Sequence, residues 1–415
     1  MARKMKDSGI EWIGEIPEGW EVSKLKYLGR YVNGYPFKPD DWGDKGKPII
    51  RIQDLTGSND SPNYYDGDID AKYHIKNGDI LVSWAATLDA FIWNKGDGLL
   101  NQHIFKAIPQ EEKITSYFFF WMIKEAMQNM NNDNKHGIFM QHVTLDVFNN
   151  FSVPLPPLSE QRRIATYLFQ KISEADTMLD DTLSSITGYK KLKQAVITQA
   201  VTKGVRGERE MKDSGVEWIG TYPSNWKIIK IKWLLHERKD RSVTGLEEPL
   251  SMSQKKGLIP TKDMDSIPNM ASSFIGAKLV YKGDLVFNKL KAHLGVFSVS
   301  KYNGLVSPDY AVYYSTGLAN LNFLELLFKT PQYINEFKKK SSGVGAGLTR
   351  LYTGDLYSIY CALPPLVEQE EIADYLDIKC AEIDKLIAKK EQLVKELESY
   401  KKSLIYEVVT GKREV

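Results

Sequence analysis

This chain contains the same unit of about 200 residues twice, and any fold it adopts must accommodate both copies. The phrase MKDSGIEWIGEIPEGW at Met5–Trp20 returns as MKDSGVEWIGTYPSNW at Met211–Trp226, with 11 of 16 positions identical at an offset of 206 residues. A repeat of such long period dictates the architecture. Two copies are too few to stack as a solenoid, so the repeat predicts two similar domains.

Further repeated phrases follow in the same order in both halves. The phrase LPPLSEQRRIATYL at Leu155–Leu168 matches LPPLVEQEEIADYL at Leu363–Leu376, at an offset of 208 residues. The segment Gly188–Gly204 is echoed more weakly by Ser399–Lys412, since both contain Tyr-Lys-Lys and end near a Gly. Each unit therefore has a mixed first part and a proline-free second part.

The first part of each unit reads as a mixture of strands and helices. Short alternating runs predict strands, and these are KPIIRIQDL, GDILVSW, HIFKAI, GDLVFN and YAVYY. Helices are predicted over Thr115–Met130 and over Asn320–Lys340, the second interrupted at Pro331. Because there is no regular strand–helix–strand rhythm, the pattern predicts an α+β domain of about 150 residues.

The second part of each unit reads as one long helix with a narrow apolar seam. Glu160 and Glu368 lie in the first turn, where carboxylates interact favourably with the positive end of the helix dipole. Gly204 and Gly411 supply stops, whereas Gly188 costs about 1 kcal/mol within a helix and predicts a kink or break. The predicted seam residues are Ile164, Leu168, Ile172, Ala175, Leu179, Leu183, Ile186, Leu192 and Val196 in the first unit, and Ile372, Leu376, Ile383, Leu386, Leu393, Leu397, Leu404 and Val408 in the second.

A helix of this length must bury its seam. Antiparallel pairing of the two repeats is the economical solution, and an outside protein or two separate ordinary cores are the alternatives. About 40 helical residues span roughly 60 Å, so the pairing predicts two similar domains held at a fixed distance about an approximate twofold axis. The predicted segments are a first domain over 1–157, a spacer helix over 158–207, a second domain over 208–365 and a C-terminal spacer helix over 366–415.

Composition excludes several classes of protein. A formal net charge of +2 argues against a general polyanion binder but leaves room for local basic surfaces. Two cysteines without metal-type spacing, Cys361 and Cys380, predict a reduced, cytoplasmic protein. No signal peptide is expected, and the apolar stretches are far shorter than the roughly 20 residues of a membrane span.

The sequence lacks the patterns that catalysis needs. The glycines in Ser341–Arg350 follow a lysine-rich segment rather than a strand, so they do not form a dinucleotide loop. A phosphate loop, a Gly-x-Ser-x-Gly elbow and the Asn/Asp-Pro-Pro-aromatic motif of amino-methyltransferases are all missing. His136 and His142 have no cysteine or carboxylate companions for zinc. We expect a binding protein that carries no metal or cofactor of its own.

The two copies diverge at one place where their frameworks match. Residues 281–301 contain four lysines and a single acid, Asp284, whereas the corresponding VSWAATLDAFIW of the first copy has no lysine. This divergence predicts two recognition surfaces for different targets.

These phrases together carry a family resemblance. LPPLSEQRRIATYL and LPPLVEQEEIADYL, each opening a long helix, resemble the repeated conserved regions of the specificity (HsdS-type) subunit of type I restriction–modification systems. Gly283–Tyr313 is similar to the middle of that family's target recognition domains, and SGIEWIGEIPEGW is similar to its opening. The resemblance covers nearly the whole chain in the family's order.

The resemblance implies a DNA-reading, non-catalytic subunit. Each globular domain would read one half of a bipartite double-stranded DNA site, and the helices would set the gap and dock two modification subunits. Those subunits carry S-adenosylmethionine and methylate adenine N6, and restriction/translocase subunits using ATP and Mg²⁺ complete the complex. No membrane is implied. A protein–protein scaffold that does not read DNA and a methyltransferase acting alone are the alternatives.

Candidate contact residues lie in loops and at strand ends. Asn, Gln and Arg make paired hydrogen bonds with base edges, and Lys suits phosphates or guanine. The expected DNA-binding residues are Arg51, Gln53, Ser83, Trp84, Thr87, Gln141 and His142 in the first domain, and Lys255, Lys256, Asn288, Lys289, Lys291, His293 and Arg350 in the second. For Trp84 a place in the hydrophobic core is an equally open interpretation.

Overall fold

A computed structural model describes residues 3–58, 61–133, 143–254, 256–266, 273–343 and 349–415, with backbone alone for 131–133. Two compact units are present. Unit 1 comprises Met1–Thr182 and Gln392–Val415, and unit 2 comprises Leu183–Glu391. Each unit contains one α+β domain and a part of both long helices.

The first α+β domain is built from short strands and three helices of unequal length. Its strands are β1 (Met5–Asp7), β2 (Glu15–Pro17), β3 (Glu21–Lys24), β4 (Gly29–Asn33), β5 (Lys47–Ile50), β6 (Asn63–Tyr65), β7 (His74–Ile75), β8 (Ile80–Ser83), β9 (Asp89–Ile92), β10 (Gly98–Leu100), β11 (Ile104–Pro109) and β12 (Ser152–Leu155). Its helices are α1 (Ile52–Thr56), α2 (Ser116–Asp133) and α3 (Leu145–Asn150), and the first long helix, α4, runs over Leu158–Lys203.

The second domain has a similar order of elements. Its strands are β13 (Met211–Asp213), β14 (Thr221–Pro223), β15 (Lys227–Lys230), β16 (Leu235–Glu237), β17 (Leu250–Ser253), β18 (Gly257–Pro260), β19 (Lys278–Val280), β20 (Leu285–Asn288), β21 (Phe297–Val299), β22 (Gly304–Val306), β23 (Tyr310–Ser315), β24 (Ser342–Gly343), β25 (Thr349–Arg350) and β26 (Tyr360–Leu363). Its helices are α5 (Leu321–Phe328), α6 (Pro331–Lys340) and α7 (Thr353–Ser358), and the second long helix, α8, runs over Leu366–Val409.

The same four-stranded antiparallel sheet forms the centre of each domain. Its strand order is β4-β11-β8-β9 in unit 1 and β16-β23-β20-β21 in unit 2. In unit 1 the register pairs Ile104 with Ser83 at one end of β11 and Pro109 with Gly29 at the other. In unit 2 Asn288 lies opposite Tyr310. The repeated sequence therefore folds as a repeated framework, and the α+β prediction is confirmed.

Most predicted elements are present, but one predicted strand is shorter than expected. The run KPIIRIQDL is a strand only as far as Ile50, after which Ile52–Thr56 is helical. The helix predicted over Thr115–Met130 is α2. The break predicted at Pro331 separates α5 from α6, and Pro331 begins the second of them, where its missing N–H needs no partner.

Buried polar side chains tie α4 to the opening segment of unit 1. The Trp20 indole Nε1 donates to Glu160 Oε2 at 2.9 Å, and Arg3 pairs with the same carboxylate at 2.7 Å. The amide of Gln161 is completely buried; its Oε1 accepts from the Thr115 N–H, and its Nε2 donates to the Lys113 and Pro156 carbonyls. Because buried polar groups must be satisfied, these bonds fix where the helix begins.

Unit 2 repeats this anchoring with the equivalent residues of α8. Arg209 pairs with the fully buried Glu368 at 2.5 Å. Gln369 Oε1 accepts from the Asn320 N–H, and Gln369 Nε2 donates to the Leu318 and Pro364 carbonyls. The Glu-Gln pair in the repeated LPP phrase therefore joins a helix to a domain in both units. At their far ends the helices stop at Gly204 and Gly411, both in the left-handed conformation as predicted.

Within each unit, the parts of α4 and α8 that belong to it pack against each other. Within unit 2 Lys193 pairs with Asp384 at 2.6 Å and Arg206 pairs with Glu371 at 2.6 Å, so residue numbers fall on α8 as they rise on α4. Within unit 1 Asp176 pairs with Lys401. Apolar side chains of α4 and of the end of α8 also share one core cluster in that unit. Among the three ways of burying the seam, pairing of the repeats is the one adopted.

The seam itself differs from the predicted one in the middle of each helix. The predicted members Leu183, Leu192, Leu386 and Leu393 are exposed. Buried or half-buried positions on α4 alternate by three and four residues through Thr182, Ile186, Tyr189 and Lys193, which is the heptad spacing of a coiled coil. Polar residues occupy seam positions there, whereas apolar periodicity alone predicts the neighbouring leucines. The break predicted at Gly188 was also wrong, because α4 continues through it.

The corrected seam makes a prediction about stability. Ile186 is 6% exposed and Leu192 is 49% exposed, although both were expected in the seam. We expect Ile186→Ala to lower the unfolding free energy by about 2–4 kcal/mol, since it removes buried methyl groups and leaves a cavity. Leu192→Ala should change it by less than about 0.5 kcal/mol. Urea unfolding followed by circular dichroism measures both, and equal losses would contradict this seam.

Candidate nucleic-acid interface

In unit 2 a cationic group forms where β20 ends. Asn288 is the last residue of β20, and Lys289 follows it directly. A tight turn continues through Lys291, whose N–H donates to the Asn288 carbonyl at 3.0 Å. The Leu351 N–H donates to the Lys289 carbonyl at 3.0 Å, which brings β25 and its Arg350 to the same place. Three of the predicted contact residues, Asn288, Lys289 and Arg350, are therefore neighbours despite their separation in sequence.

Arg350 is held in place by a carboxylate. Its Nη2 donates to Asp309 Oδ1 at 2.7 Å, while its Nε is buried and has no hydrogen-bond partner. Asp309 lies in the loop just before β23, which pairs with β20. An arginine fixed by one carboxylate has fewer rotamers to lose when it binds, and its remaining N–H groups match paired acceptors such as guanine O6 and N7.

Two other cationic side chains lie near Lys289 and repel its ammonium. Partial burial lowers the pKa of its ammonium, and the nearby Lys278 and Arg350 lower it further. Lys278 is itself largely buried, and its Nζ donates to the Tyr310 carbonyl at 2.7 Å. An acceptor-rich or anionic ligand would relieve this repulsion, so the group is suited to a phosphate or to the acceptor edge of a base.

A cavity of about 500 Å³ adjoins these residues, lined by both polar and apolar groups. Asn288, Asp309 and Tyr310 lie on its wall, together with Ser251 and Thr261, whose hydroxyls are 2.8 Å apart. Burial raises the pKa of the Tyr310 phenol, which therefore remains a neutral hydrogen-bonding group. The described residues of the wall can make hydrogen bonds, and Asp309 is the one carboxylate among them, so they offer no carboxylate pair for acid–base chemistry.

The remaining predicted residues of this domain are placed differently. His293 lies in the short 3-10 turn Ala292–Leu294, and its Nδ1 is buried without a partner. Lys256 is not brought to the group around Asn288. It pairs with Asp265 at 2.7 Å and lines a separate cleft of about 530 Å³ with Lys282 and other residues. Lys255 lies outside the described residues.

In unit 1 the equivalent turn, between β8 and β9, carries a different set of side chains. Ser83 is fully buried and its Oγ donates to the Ala85 carbonyl, whereas Thr87 is exposed. Trp84 is half-buried against the main core cluster, and its Nε1 is buried without a partner. Between them Ala86 has a φ of 59°. Strain at a non-glycine residue of this kind is typical of turns whose shape serves a function.

Arg51 and Gln53 lie just beyond β5. The Asn101 N–H donates to the Ile50 carbonyl, and the Ile104 N–H donates to the Asn101 carbonyl, which joins the end of β5 to the edge where Ser83 lies. The Arg51 guanidinium lies 5.9 Å from the Trp42 ring, and its buried Nε lies 3.9 Å from Asp54 Oδ2, an ion pair without a hydrogen bond. Gln53 is exposed. Gln141 and His142 lie outside the described residues.

Sequence reasoning missed several members of this site. Asp309 and Lys278 orient or polarise the cationic group, and Trp42 packs on Arg51. The sequence contained a signal for Asp309. It lies in the phrase LVSPDY, where the two copies align but differ, and the first copy has His103 at this position. In the portion of the chain that the structure describes, no cluster of His, Cys, Asp or Glu could hold a metal ion. None of the described helices is long and apolar enough to cross a lipid bilayer.

A repeated α+β domain on an antiparallel helix pair, with different polar groups at equivalent strand ends, defines a two-module binding protein. A family profile described as "Type I restriction modification DNA specificity domain" matches residues 17–186. Residues 17–186 of this chain are therefore similar to the DNA specificity domain of type I restriction–modification systems.

Relatives named as specificity subunits match most of the chain, and solved structures share its fold. A putative type I restriction enzyme MjaX specificity subunit of Methanocaldococcus jannaschii is 28% identical over 96% of this chain and 95% of its own length. The EcoKI specificity subunit of Escherichia coli is 22% identical over 86% and 82%. Two solved structures share the fold. One comes from work on complex assembly and conformational transition of the type I R-M system; it is 15% identical with a TM-score of 0.71, and the match covers 96% of this chain and 99% of that chain. The other is the HsdS subunit of Thermoanaerobacter tengcongensis; it is 17% identical with a TM-score of 0.54, and the match covers 96% of this chain and 98% of that chain.

The lowered pKa of Lys289 predicts a conflict between stability and binding. A lysine whose pKa is lower in the folded state destabilises that state at neutral pH, and the penalty disappears as pH rises through the unfolded-state pKa. We expect Lys289→Met to raise the urea midpoint at pH 7 and to lower affinity for DNA. Lys291→Met, at an exposed position of the same turn, should leave the midpoint unchanged. A lower midpoint for Lys289→Met would contradict this assignment.

Proposed function

We propose that this chain selects the DNA sequence on which a type I restriction–modification complex acts, each of its two domains reading one half of a bipartite site. The observation that carries the proposal is the contrast between the two copies. The β8–β9 turn carries a buried Ser83, a half-buried Trp84 and an exposed Thr87, whereas the equivalent β20–β21 turn carries Asn288 and Lys289, on sheets of the same relative strand arrangement. A constant framework with exchanged side chains at one edge is what two different half-sequences require.

Reading divides into two kinds of contact. Lysines near the sheet edge contact phosphates, which sets affinity and position along the duplex irrespective of sequence. Side chains with paired donors or acceptors, above all the Asp309-held Arg350, contact base edges and set the sequence preference. Two such readers inspect segments about one turn of the double helix apart, roughly 34–36 Å, with an unread gap between them.

The helix pair carries the features needed for docking two modification subunits. In unit 1 Met178 and Tyr400 flank the seam beside the Asp176–Lys401 pair, and both side chains are exposed. In unit 2 Leu192 and Leu386 flank it in the same way, beside Lys193 and Asp384. The heptad pattern puts each pair on one side of the seam. One exposed apolar pair in each unit supports one partner in each unit.

The chemistry belongs to the partners. The modification subunits bring S-adenosylmethionine and methylate adenine N6, and the target base leaves the stack at a cost of a few kcal/mol. Restriction/translocase subunits bring ATP and Mg²⁺, and this chain brings no cofactor. Such a complex works on double-stranded DNA in the cytoplasm and needs no membrane.

Methylation mapping with reciprocal variants tests the proposal. Wild-type chain, co-expressed with its modification subunit, should direct adenine methylation to one bipartite motif. Arg350→Ala should loosen one base pair in one half of that motif, with a loss of discrimination of about 1–3 kcal/mol, and leave the other half intact. Arg51→Ala should do the reverse. Methylation that is unchanged by both variants would favour a scaffold that does not read DNA.

A further inference from the structure

A short basic-aromatic phrase occurs at the same place in both units. Lys-Leu-Lys-Tyr at Lys24–Tyr27 returns as Lys-Ile-Lys-Trp at Lys230–Trp233, offset by the 206 residues of the opening repeat. In each case the first lysine ends a strand and the next three residues form a 3-10 turn. We name these segments the Lys–aromatic patches.

In unit 1 the patch directs its polar and aromatic groups to solvent. Leu25 is buried in the main core cluster and anchors the turn, whereas Tyr27 is 54% exposed. The Lys26 ammonium lies 5.2 Å from the centre of the Tyr27 ring. Lys24 is exposed beside it.

In unit 2 the same arrangement is built with a larger ring. Ile231 is buried, Trp233 is 57% exposed, and the Lys232 ammonium lies 4.7 Å from the Trp233 ring centre. Lys230 lies 5.1 Å from the ring of Tyr360, which is also exposed. Within the described ranges no carboxylate forms an ion pair with Lys24, Lys26, Lys230 or Lys232.

The patches lie away from the edge that reads DNA. In unit 1 the turn precedes Gly29, which pairs with Pro109, whereas the site residue Ser83 pairs with Ile104. The two places are five residue steps apart along β11, roughly 17 Å. The patch and the site residues are separated in the same way in unit 2. Leu235, which follows the patch, pairs with Ser315 at one end of β23, and Asn288 pairs with Tyr310 at the other end.

The patches instead adjoin the segments that anchor the long helices. The Lys113 ammonium donates to the Tyr27 carbonyl, and the Lys113 carbonyl accepts from Gln161 of α4. In unit 2 the Thr316 hydroxyl donates to the Trp233 carbonyl, and two residues later Leu318 accepts from Gln369 of α8. A protein that docks on the helix pair can therefore extend to the patch of the same unit.

We propose that each Lys–aromatic patch is a second docking point for the modification subunit, and that it binds a carboxylate-bearing segment of that protein. The inference rests on the proposed function and adds a named surface to it. Lys26 donates to the neutral Asn150 Oδ1 at 2.9 Å, and no carboxylate pairs with the described patch lysines. Lysines without a carboxylate partner favour an acidic segment, and an exposed ring contributes apolar area that a protein surface can bury. Repetition of the patch, unlike the divergent reading edges, fits a partner that is identical on both units and not a DNA sequence that differs.

Charge reversal tests this surface in the complete complex. Lys26→Glu and Lys232→Glu, each alone and then together, are combined with the modification subunit and counted by native mass spectrometry. Each single variant should weaken one of two partner sites at least ten-fold, so that the complex with one partner accumulates, and the double variant should weaken both. Tyr27→Ala and Trp233→Ala should weaken the same sites, and unchanged circular dichroism checks the fold.

Lys72→Glu is the matched control. The Lys72 ammonium also lies close to an aromatic ring, 4.9 Å from the centre of Tyr73. This pair is not repeated, because the equivalent 3-10 turn of the second copy has Asp263 at the position of Tyr73. It should retain two partners. Full occupancy in the Lys26→Glu and Lys232→Glu variants would overturn the inference, as would a loss confined to DNA affinity, which would assign the patches to phosphates. A wild-type chain that binds no modification subunit would instead contradict the proposed function itself.

Discussion

The pairing of α4 with α8 is the interaction on which the rest of this molecule depends. Neither helix can bury its seam alone, and each contributes one part to unit 1 and the other part to unit 2. Cross-helix ion pairs such as Lys193–Asp384 are exposed and contribute little free energy, so buried residues such as Ile172 and Leu404 supply most of the stability. The ion pairs instead favour one register and the antiparallel direction.

The repeated Glu-Gln pair transmits that register to the domains. Glu160 and Gln161 bond to the opening segment and to the loop before α2, and Glu368 with Gln369 does the same in unit 2. A buried carboxylate and a saturated amide are costly to displace, because each would leave partners unsatisfied. Each domain is therefore fixed to its helix, and a change in the helix is expected to move the domain with it.

The sequence predicted the repeated framework well, because long phrases such as LPPLSEQ carry several constraints at once. The seam prediction was wrong where polar residues replace apolar ones. Thr182 and Lys193 occupy seam positions, whereas the sequence pattern predicts the neighbouring leucines there. At Gly188 tertiary packing along α4 outweighs the low helix propensity. Of the site, the strand ends were predictable, but the contact between Arg350 and Asp309 joins residues 41 positions apart, and no local pattern reveals such a pair.

We propose that helix length sets the unread gap between two half-sequences. Insertion of seven residues into both α4 and α8 at matching positions keeps the heptad seam and adds about 10 Å, which corresponds to roughly three base pairs at about 3.4 Å each. Mapping of methylated adenines in cells that carry this variant and its modification subunit should return both original half-sequences with a longer gap. The same half-sequences with an unchanged gap would contradict the account.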